Sequence, residues 1–136
     1  TLLAEFRSVA PETQIGLLLP VPPAASQDAF GCNYKCGLNR WQVRRNQHRV
    51  VERMMATYGD KEKDNIFLIP AFVNIDCVYG YPRREEPVNA RTPTTIMRQS
   101  NGVHPAAAGY DQIADSIYAW VRYRLNQAAE TSSEEK

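Results

Sequence analysis

The chain predicts an α/β domain with parallel strands flanked by helices, and three observations carry that prediction. Two runs, Gln14–Pro20 and Ile66–Ile75, are apolar without alternation, the pattern of strands buried on both faces of a parallel sheet. The elements follow the order helix, strand, loop, helix, strand, loop, helix, which is the rhythm of such sheets. The last helix is strongly amphipathic and so must lie on something. Two strands make a poor parallel sheet by themselves. The expectation is therefore a partial sheet whose N-terminal strands lie outside this chain.

The elements justify themselves in turn. Thr1 to Ala10 reads as a helix with Leu2, Leu3, Phe6 and Val9 on one face, broken by Pro11. The first strand ends abruptly in Val21-Pro22-Pro23, and Ala24 to Asn39 reads as a loop. Arg40 to Tyr58 reads as a helix, since Val43, Gln47, Val50, Val51, Met54, Met55 and Tyr58 recur at three- and four-residue steps before Gly59. Arg44, Arg45, Arg49 and Arg53 occupy its other side. Such a row can grip phosphates, but it is more often a solvated face. His48 on the same helix reads as structural.

Lys61–Asp64 is a charged turn. Pro70 interrupts the second apolar run, so that strand should end near Ile69 and the chain continue extended. Asp76–Gln99, with Pro82, Pro87 and Pro93, reads as a long loop, which in a compact domain is usually functional or an excursion over the surface. Ala106 to about Leu125 is the clearest helix, with Tyr110, Ile113, Ala114, Ile117, Trp120, Val121 and Leu125 in one stripe. Residues 1–128 form the domain portion, and 129–136 are a polar tail expected to be flexible.

Length and composition bound the function. A chain of 136 residues suits one domain. The formal net charge of +1 gives no reason to expect nucleic acid or an anionic membrane as partner. No apolar run approaches the roughly 20 residues that span a bilayer. The N-terminal residues do not read as a signal peptide. Of three cysteines, Cys32 and Cys36 lie four apart in a polar loop. They are either a short-loop disulfide, compatible with an oxidising compartment, or two free thiols. A zinc site using them with a histidine lacks a second ligand pair at the usual spacing, so no metal or other cofactor is expected.

The chemistry concentrates at Ser100-Asn101-Gly102-Val103-His104-Pro105, where a polar loop meets the last helix. His104 stands at that junction, beside a proline suited to open a helix. Acid–base chemistry is commonly placed at such scaffold edges. A turn histidine with no role beyond local hydrogen bonds is the plainer alternative.

The block Asn101-Gly102-Val103-His104-Pro105, with Gly109-Tyr110 and Ile113-Ala114-Asp115, resembles the last conserved block of the SGNH (GDSL-type) hydrolases. The strand running into prolines at Leu17–Pro23 adds to the match. So do Trp41, Arg45-Asn46-Gln47-His48-Arg49 and Glu52-Arg53-Met54, the strand at Ile66–Ile75, and Asn89-Ala90-Arg91. The resemblance covers nearly all of residues 1–125, as the C-terminal half of a bacterial secreted or periplasmic SGNH protein. It implies a three-layer α/β/α, flavodoxin-like sheet and a serine ester hydrolase acting on a small acyl ester or an acylated carbohydrate. It also implies that His104 is the general base for a serine hydroxyl.

Two departures stand out. Asn101 occupies the position where the family carries an Asp, so an amide stands where a carboxylate would fix the imidazole. The Gly-Asp-Ser motif of the nucleophile does not occur; Gly59-Asp60 is followed by Lys61. The chain alone should then be inactive, and a separate N-terminal half would complete it. The rival reading is a non-catalytic α/β module for binding or assembly, self-associating as a homo-oligomer over its exposed sheet edge.

Overall fold

A computed structural model describes residues 2–31 and 37–134, the side chains of 131–134 excepted. Its elements are α1 (Leu2–Val9), β1 (Ile15–Leu18), α2 (Asp28–Gly31), α3 (Arg40–Tyr58), β2 (Ile66–Ile69), β3 (Arg83–Pro87), β4 (Thr95–Gln99) and α4 (Ala107–Glu134). The mixed α/β class is the expected one. Among the described residues the strands form two small sheets, a parallel β1–β2 pair and an antiparallel β3–β4 pair.

β1 and β2 pair in register from Ile15↔Ile66 to Leu18↔Ile69. The ladder is closed by the Ile15 amide on the Asn65 carbonyl at 2.8 Å and the Leu19 amide on the Ile69 carbonyl at 3.0 Å. Backbone groups alternate along a strand, so Gly16 and Leu18 turn theirs to the opposite edge. No strand lies against that edge among the described residues. On β2 the equivalent edge is partly closed, because the Ile66 amide donates to Lys61 at 3.1 Å. Arg7 closes the entry to β1 by donating to the Pro11 and Thr13 carbonyls at 2.7 and 2.6 Å.

The helix α3 begins as its sequence dictates. Asn39 caps it, accepting from the Gln42 amide at 3.0 Å while Gln42 accepts the Asn39 amide at 2.9 Å, a reciprocal capping box. Only Val51 is buried on this helix, and Val50 and Met55 remain about half exposed. Arg44, Arg45, Arg49 and Arg53 are exposed. The His48 ring meets Phe72 edge-on at 5.0 Å.

Helix α4 crosses the ladder with Trp120 against Phe67 at 6.0 Å between ring centroids. Gly16 makes this approach possible: a Cβ there would stand 3.0 Å from the Trp120 ring and 2.7 Å from Ile69 Cδ1. The start of α4 is fastened to the segment after β2. Asn74 Nδ2 donates to Ser116 Oγ at 2.7 Å, and the Asp76 amide donates to Gln112 Oε1 at 2.8 Å. A separate core of Ala24, Ala29, Phe30, Ile75 and Tyr81 sits under the loops that leave the two parallel strands.

Several expectations need correction. The chain after Ile69 does not continue extended, because Ala71–Val73 is a 3₁₀ turn closed by the Val73 amide on the Pro70 carbonyl. The 76–99 stretch is not all loop but carries the β3–β4 hairpin, paired from Arg83↔Gln99 to Pro87↔Thr95. The 24–39 stretch contains α2. The α4 stripe is only partly covered: Tyr110, Ile117, Val121 and Leu125 are 38–65% exposed, since the parallel pair is too narrow to cover the whole arc. Cys32 and Cys36 lie outside the described residues.

Replacing Gly16 by Ala forces a methyl into the Ile69–Trp120 contact. The expected loss is about 1–3 kcal/mol of unfolding free energy, read from the urea midpoint of the purified chain.

Candidate functional site

Three segments meet beyond the carboxyl ends of β1 and β2, where parallel sheets commonly hold their sites. They are the loop after β1 (Pro20–Ser26), the segment after β2 (Pro70–Tyr81) and the turn bearing His104. Backbone hydrogen bonds tie them together. The Ala24 amide donates to Gly102 at 3.0 Å, the Ala25 amide to Cys77 at 2.9 Å, and the Ala106 amide to Gly80 at 2.8 Å.

Small residues make these approaches possible. A Cβ on Gly102 would stand 2.7 Å from the Phe30 ring, and one on Gly109 would stand 2.2 Å from the Gly80 carbonyl oxygen. The buried Tyr81 phenol donates to the Pro22 carbonyl. Burial, with Cys77 and Tyr110 adding to it, pushes its pKa up, so it remains a neutral donor at any ordinary pH.

His104 is exposed on this edge. Its ring has no hydrogen-bond partner among the described residues. Asn101 does reach His104, but through the backbone: its Oδ1 accepts the Val103 amide at 3.1 Å and the His104 amide at 2.9 Å. The side-chain oxygen that a triad would turn to the imidazole is thus occupied in shaping the turn. Pro105 does not open the helix; the Gly109 and Tyr110 amides both donate to Ala106, which places the cap there.

Other groups on this edge were not flagged by sequence. Asp76 accepts the Val78 and Tyr79 amides at 2.7 and 3.0 Å. These two bonds, Tyr79 first, hold its carboxyl below the ordinary value of 3.8. Desolvation is the main cause raising the Cys77 thiol above its ordinary range, which makes it a poor nucleophile at neutral pH. Ser26 Oγ donates to Asp28 Oδ2 at 3.0 Å, and Arg98 Nη1 meets the same oxygen at 3.1 Å, fastening the hairpin to α2. Gln99, buried at the end of β4, binds both strand-end loops.

Among the described residues no serine or cysteine is shown within hydrogen-bond reach of the His104 ring. None of the described His, Cys, Asp and Glu side chains form a group of three or more able to hold a metal ion. No described helix is long and apolar enough to cross a membrane. Comparison of the chain with protein-family models, with curated proteins and with solved structures returns no match.

The Asp76 shift sets a sign for acid sensitivity. The unfolded chain takes up this proton near 3.8 and the folded chain only at lower pH. The carboxylate therefore stabilises the fold above that value, and the contribution disappears as pH falls through the lowered one. Asp76→Asn should melt lower than wild type at neutral pH, with the gap closing in thermal melts below about pH 3.8.

Proposed function

We propose that this chain is the histidine-bearing part of a serine ester hydrolase of the SGNH type, completed by a segment that carries the nucleophile and the oxyanion donors. The observation that carries the reading is the position of His104. Its turn is hydrogen-bonded, at Gly102 and Ala106, to the segments that leave both parallel strands. An imidazole held there can take a proton from a serine hydroxyl as that oxygen attacks an ester carbonyl. It can then return the proton to the departing alcohol. With Asn101 committed to backbone amides, the ring would be oriented by the completing segment or by a backbone carbonyl, and the chemistry would run as a Ser-His dyad.

The surface of the chain supports the idea of completion. The outward edge of β1 has no neighbour among the described residues. The buried Trp120 Nε1, beside Gly16, has no acceptor among the described residues. A further parallel strand at β1, with helices over Val50 and over the open arc of α4, would extend the fold toward three layers. The substrate proposed is a small acyl ester or acylated carbohydrate, and the compartment secreted or periplasmic. The same edge, and an imidazole without a partner among the described residues, also favour the rival, a self-associating non-catalytic module.

The completed enzyme should lose about a thousandfold or more in kcat on His104→Ala, with KM little changed; unchanged turnover would sink the proposal. Leu18→Pro removes an amide that points off the open edge and trades the part-exposed leucine side chain for a proline ring. The isolated chain should keep its circular dichroism, while association with the completing segment weakens at least roughly tenfold, about 1.4 kcal/mol. Undiminished association would place that segment elsewhere.

A further inference from the structure

One buried side chain joins the two strand-end loops, and it sits on the strand that leads into the His104 turn. Gln99 is 6% exposed. Its Oε1 accepts the Ser26 amide at 2.6 Å. Its Nε2 donates to the carbonyls of Cys77 and Val78 at 2.8 and 2.9 Å. Both amide protons are therefore used, on partners belonging to the segment after β2, while the oxygen holds the loop after β1.

Those same loops supply the bonds that place the histidine turn. The Ala24 amide holds Gly102, the Gly80 carbonyl holds Ala106, and the Ser100 amide donates to Pro82 at 2.9 Å. Within the turn, Asn101 fixes the amides of Val103 and His104. The position of the His104 backbone is thus set by contacts from loops that Gln99 ties to one another.

We propose that Gln99 is the positioning residue for His104. It does not touch the imidazole. It sets where the imidazole stands relative to the carboxyl ends of β1 and β2. The chemistry explains why glutamine suits the place. Glutamate would keep the acceptor for Ser26 but turn a second oxygen toward two carbonyl oxygens. Methionine would keep the volume and take away the partner of the Ser26 amide and of the Val78 carbonyl, while the Cys77 carbonyl would keep only the Ala25 amide. The catalytic meaning of this role rests on the reading of His104 as the general base; the mechanical coupling does not.

The test uses the chain itself, as Gln99→Met and Gln99→Glu. Amide hydrogen exchange is followed at Ser26, Val103, His104, Phe67 and Ile69, and the His104 Cε1–H resonance is recorded beside it. The expected result in both variants is exchange at Val103 and His104 faster by roughly tenfold or more, with a displaced imidazole resonance. Phe67 and Ile69 should stay within about threefold of wild type. Ser26 should lose protection in the Met variant and keep it in the Glu variant, whose remaining oxygen still accepts.

An unmoved His104 signal with unchanged exchange would overturn the proposal. So would equal acceleration at all five amides, which is a general loss of stability. Should Gln99→Met fail to fold, the near-isosteric Gln99→Glu carries the test alone. None of these readouts uses turnover. A completed enzyme indifferent to His104→Ala would therefore remove the catalytic reading and leave the coupling of Gln99 to His104 standing.

Discussion

The parallel ladder between β1 and β2 is the interaction on which the rest of the structure depends. Its four registered pairs bring the two strand ends to one edge. Only there can the loops after β1 and β2 share hydrogen bonds with the turn of His104. Gly16 lets Trp120 lie across the ladder, and that contact fixes the line along which α4 runs. The same helix begins at the histidine turn, so a clash at Gly16 would be felt at both ends of α4. Gly80 and Gly109 repeat the device on a smaller scale, with backbone against backbone where any side chain would hold the helix off.

The loops on this edge are held by polar groups more than by apolar mass. The core beneath them is small, built around Phe30 and Tyr81. What gives the turn a definite shape is the number of backbone amides and carbonyls that find specific partners there. Such networks specify geometry because each unmet partner is costly away from water. Asn101 shows the consequence for chemistry. Asn101, three residues before His104, spends its side-chain oxygen on the turn itself. In this protein local architecture takes precedence over orienting the imidazole.

Much of the fold was legible in the sequence, for identifiable reasons. The unbroken apolar runs around Leu17 and Leu68 announced parallel strands, although β1 is only half-buried, and the three- and four-residue spacing from Val43 to Tyr58 announced α3. The prominence of His104 in the sequence came from its own neighbours in the chain. The hairpin was hidden because Arg83-Arg84-Glu85-Glu86-Pro87 has no apolar alternation; pairing and the Arg98 contacts to Asp28 and Glu86 sustain it instead. The 3₁₀ turn at Ala71–Val73 was hidden by apolar composition that suited a strand. Gln99 was invisible for another reason: its meaning lies in Ser26, 73 positions away. The width of the α4 stripe was legible, but how much of it is covered depends on what the sheet adds.

The edge of β1, unpaired among the described residues, and the bare arc of α4 bear on one physical question, whether a further segment adds to the sheet. The native mass of the protein from its natural source, with the denatured mass beside it, answers that question most directly. The account predicts that the 15.4 kDa unit occurs with further polypeptide, covalently continuous or tightly bound, and that this polypeptide holds the nucleophilic serine. A bare species of that mass, or a homo-oligomer of it, would contradict the account and leave the self-associating module in its place.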